Sequence, residues 1–385
     1  MKILPYSEKH LEFRDRLRQF LKKEILPYVD QWEKDHIVPK DVWRKMGENG
    51  FLCTATSPKY GGMGGDFLYS VIVNHEICKT NQLGLSSQLH SDIVVPYIET
   101  FGTEEQKSTY LPKCVSGEII TALAMTEPDA GSDLAAMTTT AIEEGDKVVI
   151  NGSKTFISNA INSGLIVLAA KDPAVENVHR SISLYLVESG TPGLKKGPAF
   201  EKMGQYSQDT AELFFNNCKI PKRNRLGEKG AGFIMLMQKL QQERLICALM
   251  GIASSELVLE WLTKYCRTTK IAGHPLANQQ AVQFELVEMA TDLTIARTFV
   301  EKLVADHMEK KEVVVETSMA KYWVSDMVKR TTARAIDLAG DIAIHEKCPI
   351  ARTFRDVQVL SIYAGTNEIM KGIIAKKLLL SDAKR

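Results

Sequence analysis

The spacing of apolar residues changes twice along the chain, and these changes constrain the fold more than any other feature of the sequence. Up to about residue 118 the apolar residues recur at helical spacing. From 119 to about 226 they form short runs such as LIVLAA and SISLYLVE, separated by Gly, Asn, Asp and Pro, which is typical of an antiparallel sheet or barrel. From Gly232 onward the helical spacing returns. The chain is therefore predicted to fold in the order helical, β, helical.

Four helices are predicted in the last region, and the first three are longer than typical globular helices, which favours a packed bundle. Their predicted limits are 238–264, 279–307, 316–338 and 368–380. The predicted fold class is α+β. The predicted domains are an N-terminal helical domain, a middle antiparallel β-barrel-like domain and a C-terminal four-helix bundle, at 1–118, 119–231 and 232–385.

The charge balance does not indicate a nucleic acid or membrane partner. The 385 residues include 48 basic and 47 acidic side chains, a formal net charge of +1, which provides no electrostatic footprint for either. No apolar run approaches the roughly 20 residues of a membrane span, and the charged N-terminus lacks the apolar region of a signal peptide. Seven cysteines occur without a CxxC pair and eight histidines without HExxH spacing, so we expect reduced thiols, no metal site and a cytoplasmic location.

Two stretches of the β region carry groups suited to a polar or flat ligand. TEPDAGSD follows the apolar run TALAM and offers backbone N–H groups and a hydroxyl, although a simple turn has the same composition. In GSKTFISNA, Phe156 and Ser158 are expected on the same side of a strand because side chains alternate. An aromatic ring and a hydroxyl there would line a flat ring, whereas a core Phe is the commoner meaning of this pattern.

One helix of the last region contains a candidate base. In QKLQQERLICALMGIA, Glu243 and Arg244 interrupt an otherwise apolar pattern. Such a carboxylate is usually solvated or ion-paired. If Glu243 faces inward, desolvation raises its pKa and makes it a usable base near neutral pH.

The stretch SIYAGTNEIM gathers hydroxyl, amide and carboxylate groups in a turn near the end of the sequence. Capping of the following helix by Thr366 or Asn367 explains this composition without a ligand. The alternative interpretation is a bound polar ligand. The centre of the turn is Ala364, whose side chain has no chemistry of its own.

Read together with YGGMGGD, KMGQYSQDTAELFF and LGEKGAGF, these stretches resemble the acyl-CoA dehydrogenase family, in the family's order and over nearly the whole chain. Seven ordered matches are far more specific than one. The family fold is a helical domain, a β domain and a four-helix C-terminal domain, which agrees with the spacing of apolar residues. QDTAELFF, QERL and GTNEIMK are most similar to the long-chain-like branch.

The resemblance implies FAD as the cofactor, bound between the β domain and the C-terminal bundle. The residues that match positions around FAD and the pantetheine chain are Met125, Thr126, Gly131, Ser132, Phe156, Ser158, Thr366 and Glu368, and Gln280 and Gly340 also keep their family matches. The residues that the resemblance places beside the acyl-CoA substrate are Ser132, Arg244, Tyr363, Ala364 and Gly365.

The resemblance also implies where the base lies. In the family a carboxylate removes the α proton of an acyl-CoA, and the β hydrogen leaves as hydride to the flavin. The thioester oxygen is stabilised by a flavin hydroxyl and by the backbone N–H at the position of Ala364. Many members carry a Glu at that position, whereas long-chain and isovaleryl-type enzymes use a Glu on the helix that carries QERL. Glu243 matches the second position and is the predicted base.

Asp92 is a rival base, because QLHSDIVVPYI lines the acyl pocket in the family. A buried Asp facing a fatty chain is costly without a partner, so we expect Asp92 to be exposed or paired with His90. The alternative is a polar or alicyclic acyl group, as in relatives acting on cyclohexane- or cyclohexene-carboxyl-CoA, with Asp92 abstracting or relaying a proton.

Two family motifs that contact the FAD of a neighbouring subunit are altered. Thr269 and Ala272 replace the Arg and Phe of R-x-x-F-G, and in Q-x-x-G-G-x-G the Gln and second Gly become Asp337 and Asp341. A carboxylate there would repel a pyrophosphate. Three explanations of these changes are ranked in order. The first is a homomer that holds FAD by other contacts, the second is a heteromer with a related subunit, and the third is a flavin-free lyase, hydratase or isomerase. A non-catalytic member of the family ranks below all three. The resemblance implies a dimer or tetramer, with the homotetramer preferred, and an electron-transferring flavoprotein as acceptor.

Overall fold

The computed structural model describes residues 3–380 and begins with a helical region. Its helices are α1 Glu8–Glu24, α2 Val29–Asp35, α3 Lys40–Glu48, α4 Phe67–Lys79, α5 Val95–Phe101 and α6 Glu104–Val115, and a π-helical segment at Leu89–Val94 leads into α5. A reciprocal cap starts α6: the Gln106 N–H donates to the Thr103 hydroxyl, and the Thr103 N–H donates to the Gln106 side chain. The Gln106 amide also donates to the carbonyls of Arg223 and Arg225, which joins α6 to the end of the sheet.

The middle region forms one sheet of eight strands among the described residues. They are β1 Thr121–Ala124, β2 Thr140–Glu144, β3 Lys147–Ile157, β4 Leu165–Lys171, β5 Ile182–Glu188, β6 Leu194–Ala199, β7 Ala211–Pro221 and β8 Arg225–Leu226, with a single-turn helix, α7 Val178–Ser181, before β5. The order is β6-β7-β3-β2-β4-β5-β8, and β1 also pairs with β4. The long β3–β7 pair is antiparallel, with Val148 opposite Ile220. The predicted β region is thus confirmed.

One part of the sheet differs from the antiparallel arrangement expected. β1 runs parallel to β4, with Thr121 opposite Leu165, and β2 makes one parallel pair with β4 at Thr140 and Lys171. Both β1 and β4 are buried along nearly their whole length. Continuous apolar strands of this kind are typical of parallel pairing, because both faces are covered. Alternation within a single strand carries no information on the direction of its partner.

The last region forms the predicted helical bundle. Its elements are α8 Gly232–Thr268, a short hairpin of β9 Lys270–Ile271 and β10 His274–Pro275, α9 Gln280–Met308, α10 Val314–Ala339, α11 Pro349–Asp356 and α12 Asn367–Leu380. Leu245, Val300 and Val324 pack in one apolar cluster between the long helices. Within the part of the chain that is described, α8 alone is long and apolar enough to cross a membrane, but 78% of its most apolar window is buried inside the protein.

A polar junction joins the three regions of the chain. It consists of Glu33 from α2, Gln205 and Ser207 from the loop before β7, and Asp356 from the end of α11. The Ser207 N–H donates to the Glu33 carboxylate at 3.1 Å, and the Gln205 N–H donates to Asp356 Oδ1 at 2.5 Å. Burial and the nearby Glu33 carboxylate raise the pKa of Asp356 to about 7. The junction therefore disfavours the charged form of Asp356.

Asp356→Asn is expected to stabilise the protein increasingly, relative to the original chain, as pH rises from about 5 to about 8. Because the folded pKa of Asp356 is raised, the carboxyl group keeps its proton at low pH, and folding is weakened as pH rises through the window up to about 7. The Asn side chain still accepts the Gln205 N–H and carries no charge at any pH. Thermal unfolding midpoints at both pH values measure the difference.

The matched control is Asp41→Asn, since the Asp41 side chain is 81% exposed and its ion pair with Arg44 lies at the surface. The difference in thermal unfolding midpoint between Asp41→Asn and the original chain should stay nearly constant with pH. A pH-independent difference for Asp356→Asn would contradict the electrostatic account of the junction.

Candidate active site

The candidate base Glu243 lies on α8 and points into the protein. Its Oε2 atom is buried and has no hydrogen-bond partner within residues 3–380. Burial raises the pKa of Glu243 to about 7, although the charges of Arg244 and Lys321 oppose this shift. A carboxylate that is desolvated, unpartnered and half protonated near neutral pH has the properties of a general base.

Two tyrosines face the Glu243 carboxylate from other elements. The buried Tyr97 hydroxyl, on α5, has no partner in the described chain, and the Tyr363 hydroxyl lies 3.5 Å from Met250 Sδ. Burial raises the pKa of both phenols, and the Glu243 charge raises them further. Both tyrosines are therefore neutral near physiological pH, and the base lies in an environment of low polarity.

The turn before α12 offers a free backbone donor. Ala364 and Gly365 both adopt left-handed backbone conformations, with φ of +55° and +84°. The N–H groups of Ile362 and Tyr363 donate to the Val359 carbonyl, but in the described chain the Ala364 N–H has no acceptor. A left-handed conformation is uncommon for residues other than Gly and often marks a functional constraint. The inert side chain of Ala364 thus accompanies a backbone group that is available to a ligand.

Capping explains part of this turn, as the sequence suggested. The Thr366 hydroxyl accepts the N–H of Ile369 at 3.2 Å and so caps α12. Asn367 has a different role, because its amide bonds to α10. The helix-capping interpretation is therefore right for Thr366 and wrong for Asn367.

The loop TEPDAGSD is fastened to β3 by a buried ion pair that no sequence pattern indicated. Lys154 Nζ lies 2.8 Å from Glu127 Oε1 and 2.9 Å from the Met125 carbonyl. Despite its burial, Glu127 has a pKa lowered to about 2 by the Lys154 charge, while burial lowers the pKa of Lys154 to about 8. The Thr155 N–H donates to the Thr126 carbonyl beside this pair. Met125 and Thr126 are thus held rigidly next to the strand that carries Phe156.

Phe156 is not a core residue, and the commoner interpretation of its pattern was wrong. It is 68% exposed, has a φ of +54°, and its ring centroid lies 5.3 Å from that of Phe200. Ile157, the last residue of β3, is buried, and the half-buried Ser158 lies in the turn that follows. The register of β3 shifts between Lys154 and Ile157, so simple alternation does not fix the sides of Phe156 and Ser158. The open aromatic ring offers a flat surface to a planar ligand.

A polar cavity lies between α10 and the turn that carries Thr366 and Glu368. Its volume is about 240 Å³, and it is lined by Asp326, Lys329, Ser361, Ile362, Thr366, Asn367, Glu368 and Lys371. The hydroxyl and ammonium groups of the lining suit a chain of hydroxyls and phosphates, whereas the Asp326 and Glu368 carboxylates can accept only from hydroxyls. The exposed ring of Phe156 suits an isoalloxazine. These residues fit FAD. As the family resemblance implies, Thr366 and Glu368 would hold the polar chain of FAD, and Phe156 and Ser158 would hold its ring.

Asp92 contradicts the expectation that it would be exposed or paired with His90. It is 6% exposed, while His90 is bonded to the Thr121 hydroxyl and the Cys114 carbonyl. Residues two apart on a helical segment do not face each other, so the proposed pair cannot form. Burial raises the pKa of Asp92 to about 7, and the Ser70 hydroxyl opposes the shift. Asp92 thus resembles Glu243 in its electrostatics and remains a rival base.

Asp92 and Glu243 lie on neighbouring elements. The side chain of Gln242, the residue before Glu243, donates to the Asp92 backbone carbonyl at 2.5 Å. This bond fixes the π-helical segment against α8. The structure therefore brings the two candidate bases into the same region, although no hydrogen bond joins their carboxylates within residues 3–380.

The altered motifs lie apart from this region, at one end of the bundle. Tyr265, near the end of α8, donates to the Ala339 carbonyl at the end of α10, so the ends of these helices are adjacent. The exposed residues at this end are Ala272, Gln280, Asp337, Gly340 and Asp341, and Thr269 is half-buried beside them. Gly131 and Ser132, in the TEPDAGSD loop, are also exposed. In residues 3–380 no cluster of His, Cys, Asp or Glu is placed to hold a metal ion.

The fold and the site define a class of protein, the flavin-dependent oxidoreductases that act on acyl-CoA thioesters. Three family models match the chain. They are the acyl-CoA dehydrogenase N-terminal domain at residues 7–118, the middle domain at 122–218 and the C-terminal domain at 230–379. The chain therefore belongs to the acyl-CoA dehydrogenase family. As in that family, its cofactor is FAD.

Individual relatives agree with this assignment. The chain is 40% identical over 375 residues to the long-chain specific acyl-CoA dehydrogenase of Rattus norvegicus, covering 97% of this chain and 87% of the relative. An acyl-CoA dehydrogenase structure from Geobacillus kaustophilus superposes with a TM-score of 0.95 at 50% identity, covering 97% of this chain and 99% of the other. A structure described as the electron transferring flavoprotein of Acidaminococcus fermentans matches at a TM-score of 0.93 and 33% identity, covering 98% and 100%.

Proposed function

We propose that the protein dehydrogenates an acyl-CoA between its α and β carbons with Glu243 as the base. The observation that carries this proposal is the Oε2 atom of Glu243, which is buried, unpartnered in the described chain and part of a carboxyl with a pKa of about 7. Tyr363 and Ala364 pack against the apolar cluster that includes the α8 residues following Glu243. A thioester beside this turn would lie between a base and a backbone donor.

The proposed chemistry follows from these two groups. Glu243 takes the α proton as the Cα–H bond breaks, and the electron pair of that bond moves towards the thioester carbonyl. The Ala364 N–H donates to the thioester oxygen as negative charge develops there. When bound, FAD would supply the acceptor for the β hydrogen, which leaves with its electron pair while the α electron pair forms the Cα–Cβ double bond. The low polarity around Tyr97 and Tyr363 strengthens both interactions because little water competes for them.

We propose a long-chain-like acyl group as the substrate. The support is the 40% identity to the long-chain specific relative and the presence of Glu243 at the QERL position while position 364 is Ala. A second candidate is a polar or alicyclic acyl group, which the burial of Asp92 favours. Arg244, whose Nη1 lies 3.4 Å from the Ser318 hydroxyl, and the exposed Ser132 are proposed to contact the CoA moiety.

We also propose that the protein works as a homo-oligomer in the cytoplasm and passes electrons to an electron-transferring flavoprotein. An exposed apolar face on α9, formed by Phe284, Val287 and Ile295, supports association of copies. Gln280 is exposed on the same helix, where a neighbour's cofactor would reach it. The similarity to the structure described as an electron transferring flavoprotein supports the electron acceptor.

Anaerobic titration of the yellow holoenzyme with a panel of acyl-CoAs tests the substrate class. Linear long-chain acyl-CoA is expected to bleach the visible flavin absorption at least about tenfold faster than short branched or alicyclic thioesters. Faster bleaching by alicyclic thioesters would replace the long-chain proposal with the second candidate. A colourless protein that does not take up added FAD would overturn the dehydrogenase function itself.

A further inference from the structure

Lys321 is a buried cation on α10 that the family resemblance did not single out. It is fully buried, and within residues 3–380 no carboxylate forms an ion pair with it. Its Nζ donates to the Gly365 carbonyl at 2.6 Å and to the Asn367 side-chain oxygen at 3.2 Å. Both acceptors are neutral and both belong to the turn that carries Ala364. A buried lysine is costly unless its charge or its hydrogen bonds are used.

The bonds of Lys321 belong to a clamp between α10 and the turn, formed by Lys321, Ser325, Asp326 and Asn367. The Asn367 side-chain oxygen also accepts from the Ser325 hydroxyl at 3.0 Å. The Asn367 amide nitrogen donates to Asp326 Oδ1 at 2.8 Å and to the Tyr322 carbonyl at 3.3 Å. Every hydrogen-bonding position of the Asn367 side chain is therefore used, and the turn has one orientation on α10.

The clamp explains how Ala364 can keep an unfavourable conformation. Left-handed backbone at a non-Gly residue is held only when the surroundings determine it. Lys321 fixes the peptide plane that follows Gly365, and Asn367 fixes the start of α12. The direction of the Ala364 N–H is then set from both sides. The bonds of Lys321 and Asn367 hold the chain after Ala364, and the bond from the Tyr363 N–H to the Val359 carbonyl holds the chain before it.

The Lys321 charge also acts on the base. It opposes the raised pKa of Glu243, as Arg244 does. The charge lies behind the turn that faces the thioester, so it favours negative charge both on Glu243 and on the developing enolate. The titratable groups that face Glu243 are Arg244 and Cys247 from α8, Lys321 from α10, Tyr97 from α5 and Tyr363 from the turn.

We propose that Lys321 is a positioning residue for α-proton removal, which orients the Ala364 N–H through the clamp and supplies the positive charge behind it. This inference rests on the proposed function, because it concerns the same step. It predicts two separable losses. Lys321→Gln keeps a side-chain donor and removes the charge, whereas Lys321→Met removes both.

The test uses the holoenzyme and a 3-thiaacyl-CoA, in which sulfur replaces the β carbon. This analogue has an acidic α proton but no β hydrogen to lose, so it reports deprotonation alone through a long-wavelength band beside the oxidised flavin. The band of the original protein should develop at a pH about one unit lower than that of Lys321→Gln, because the charge favours the deprotonated forms. Lys321→Met should show the same shift and, in addition, a kcat for acyl-CoA lowered about tenfold or more with little change in KM.

Lys376→Gln is the matched control, since Lys376 is an exposed lysine on α12 and its loss removes the same charge. Its band should develop at the pH of the original protein. Lys321 variants with that same midpoint and an unchanged kcat would overturn the inference. If those variants do not fold, Asn367→Ser, which loosens the clamp and keeps the charge, decides: unchanged kcat overturns the orienting role.

Failure of the proposed function gives a different result. If the original protein binds the analogue without developing a band at any pH, or if Glu243→Gln keeps the band, the base assignment fails whatever the Lys321 variants show. If the original protein and Glu243→Gln behave as proposed and the Lys321 variants match the original, only the inference about Lys321 fails.

Discussion

Exchanging the Glu243 carboxylate for an amide, as Glu243→Gln, is expected to lower kcat by about 10²- to 10⁴-fold while the protein still folds and binds FAD. Gln has the shape of Glu but cannot accept the α proton near neutral pH. In the original protein kcat/KM should rise with pH through about 7, because the raised pKa keeps part of Glu243 protonated below that value. Rapid-mixing reduction of the flavin by acyl-CoA measures the loss directly.

Asp92→Asn is the matched variant for this experiment. Burial raises the pKa of Asp92 to about 7, as it does that of Glu243, so the electrostatics do not separate the two carboxylates. Asp92 is the more buried residue, since Glu243 is half-buried and only its Oε2 atom is known to be covered. We expect Asp92→Asn to retain turnover within about tenfold of the original, since Glu243 and not Asp92 is the proposed base. A large loss in Asp92→Asn with full activity in Glu243→Gln would transfer the role of base to Asp92.

Gly204→Ala is expected to destabilise the protein by about 3 kcal/mol or more, a large fraction of the stability of an ordinary folded domain. Gly204 has a φ of +86°, and a Cβ atom there would lie 2.4 Å from the Arg355 backbone carbonyl oxygen and 2.8 Å from the Asp356 nitrogen. Backbone atoms at the end of α11 cannot move aside as a flexible side chain does. The polar junction of Glu33, Gln205, Ser207 and Asp356 would have to open.

The matched control for Gly204→Ala is Gly190→Ala. Gly190 has a φ of +89°, but no atom lies within 4 Å of the position its Cβ would take. It therefore reports the conformational strain alone, about 1 kcal/mol. Thermal midpoints at one fixed scan rate, together with the yield of folded protein, compare the two. Equal shifts for both variants would show that the contact between the loop and α11 tolerates a methyl group.

The order of elements follows from short-range patterns, and that part of the structure was predictable. Helical spacing over the last region requires only residues three and four apart, so the long helices α8, α9 and α10 appear where the sequence indicated. Glu243 was also recognisable, because it is the one carboxylate in the stretch QKLQQERLICALMGIA of α8, where it interrupts an apolar pattern. Its role as base is still a prediction.

The rest depends on contacts between distant segments. Lys321 and Gly365 are 44 residues apart, and Lys154 and Glu127 are 27 apart, so neither bond leaves a periodic signal in the sequence. The parallel direction of β1 beside β4 likewise depends on a contact between distant segments and leaves no periodic signal. Asp92 shows the opposite error: a nearby His suggested a pair, but the helical segment turns the two side chains to different sides.

The buried thiols have a use that is independent of catalysis. All seven cysteines are free and buried, and they are distributed over all three regions of the fold. Cys53, Cys78 and Cys114 lie in the N-terminal helical region, Cys218 lies in β7, and the others lie in the C-terminal region. Each reacts with an alkylating reagent only when its own surroundings open. Peptide mass spectrometry after timed alkylation would therefore record, in one unmodified chain, the order in which the regions come apart.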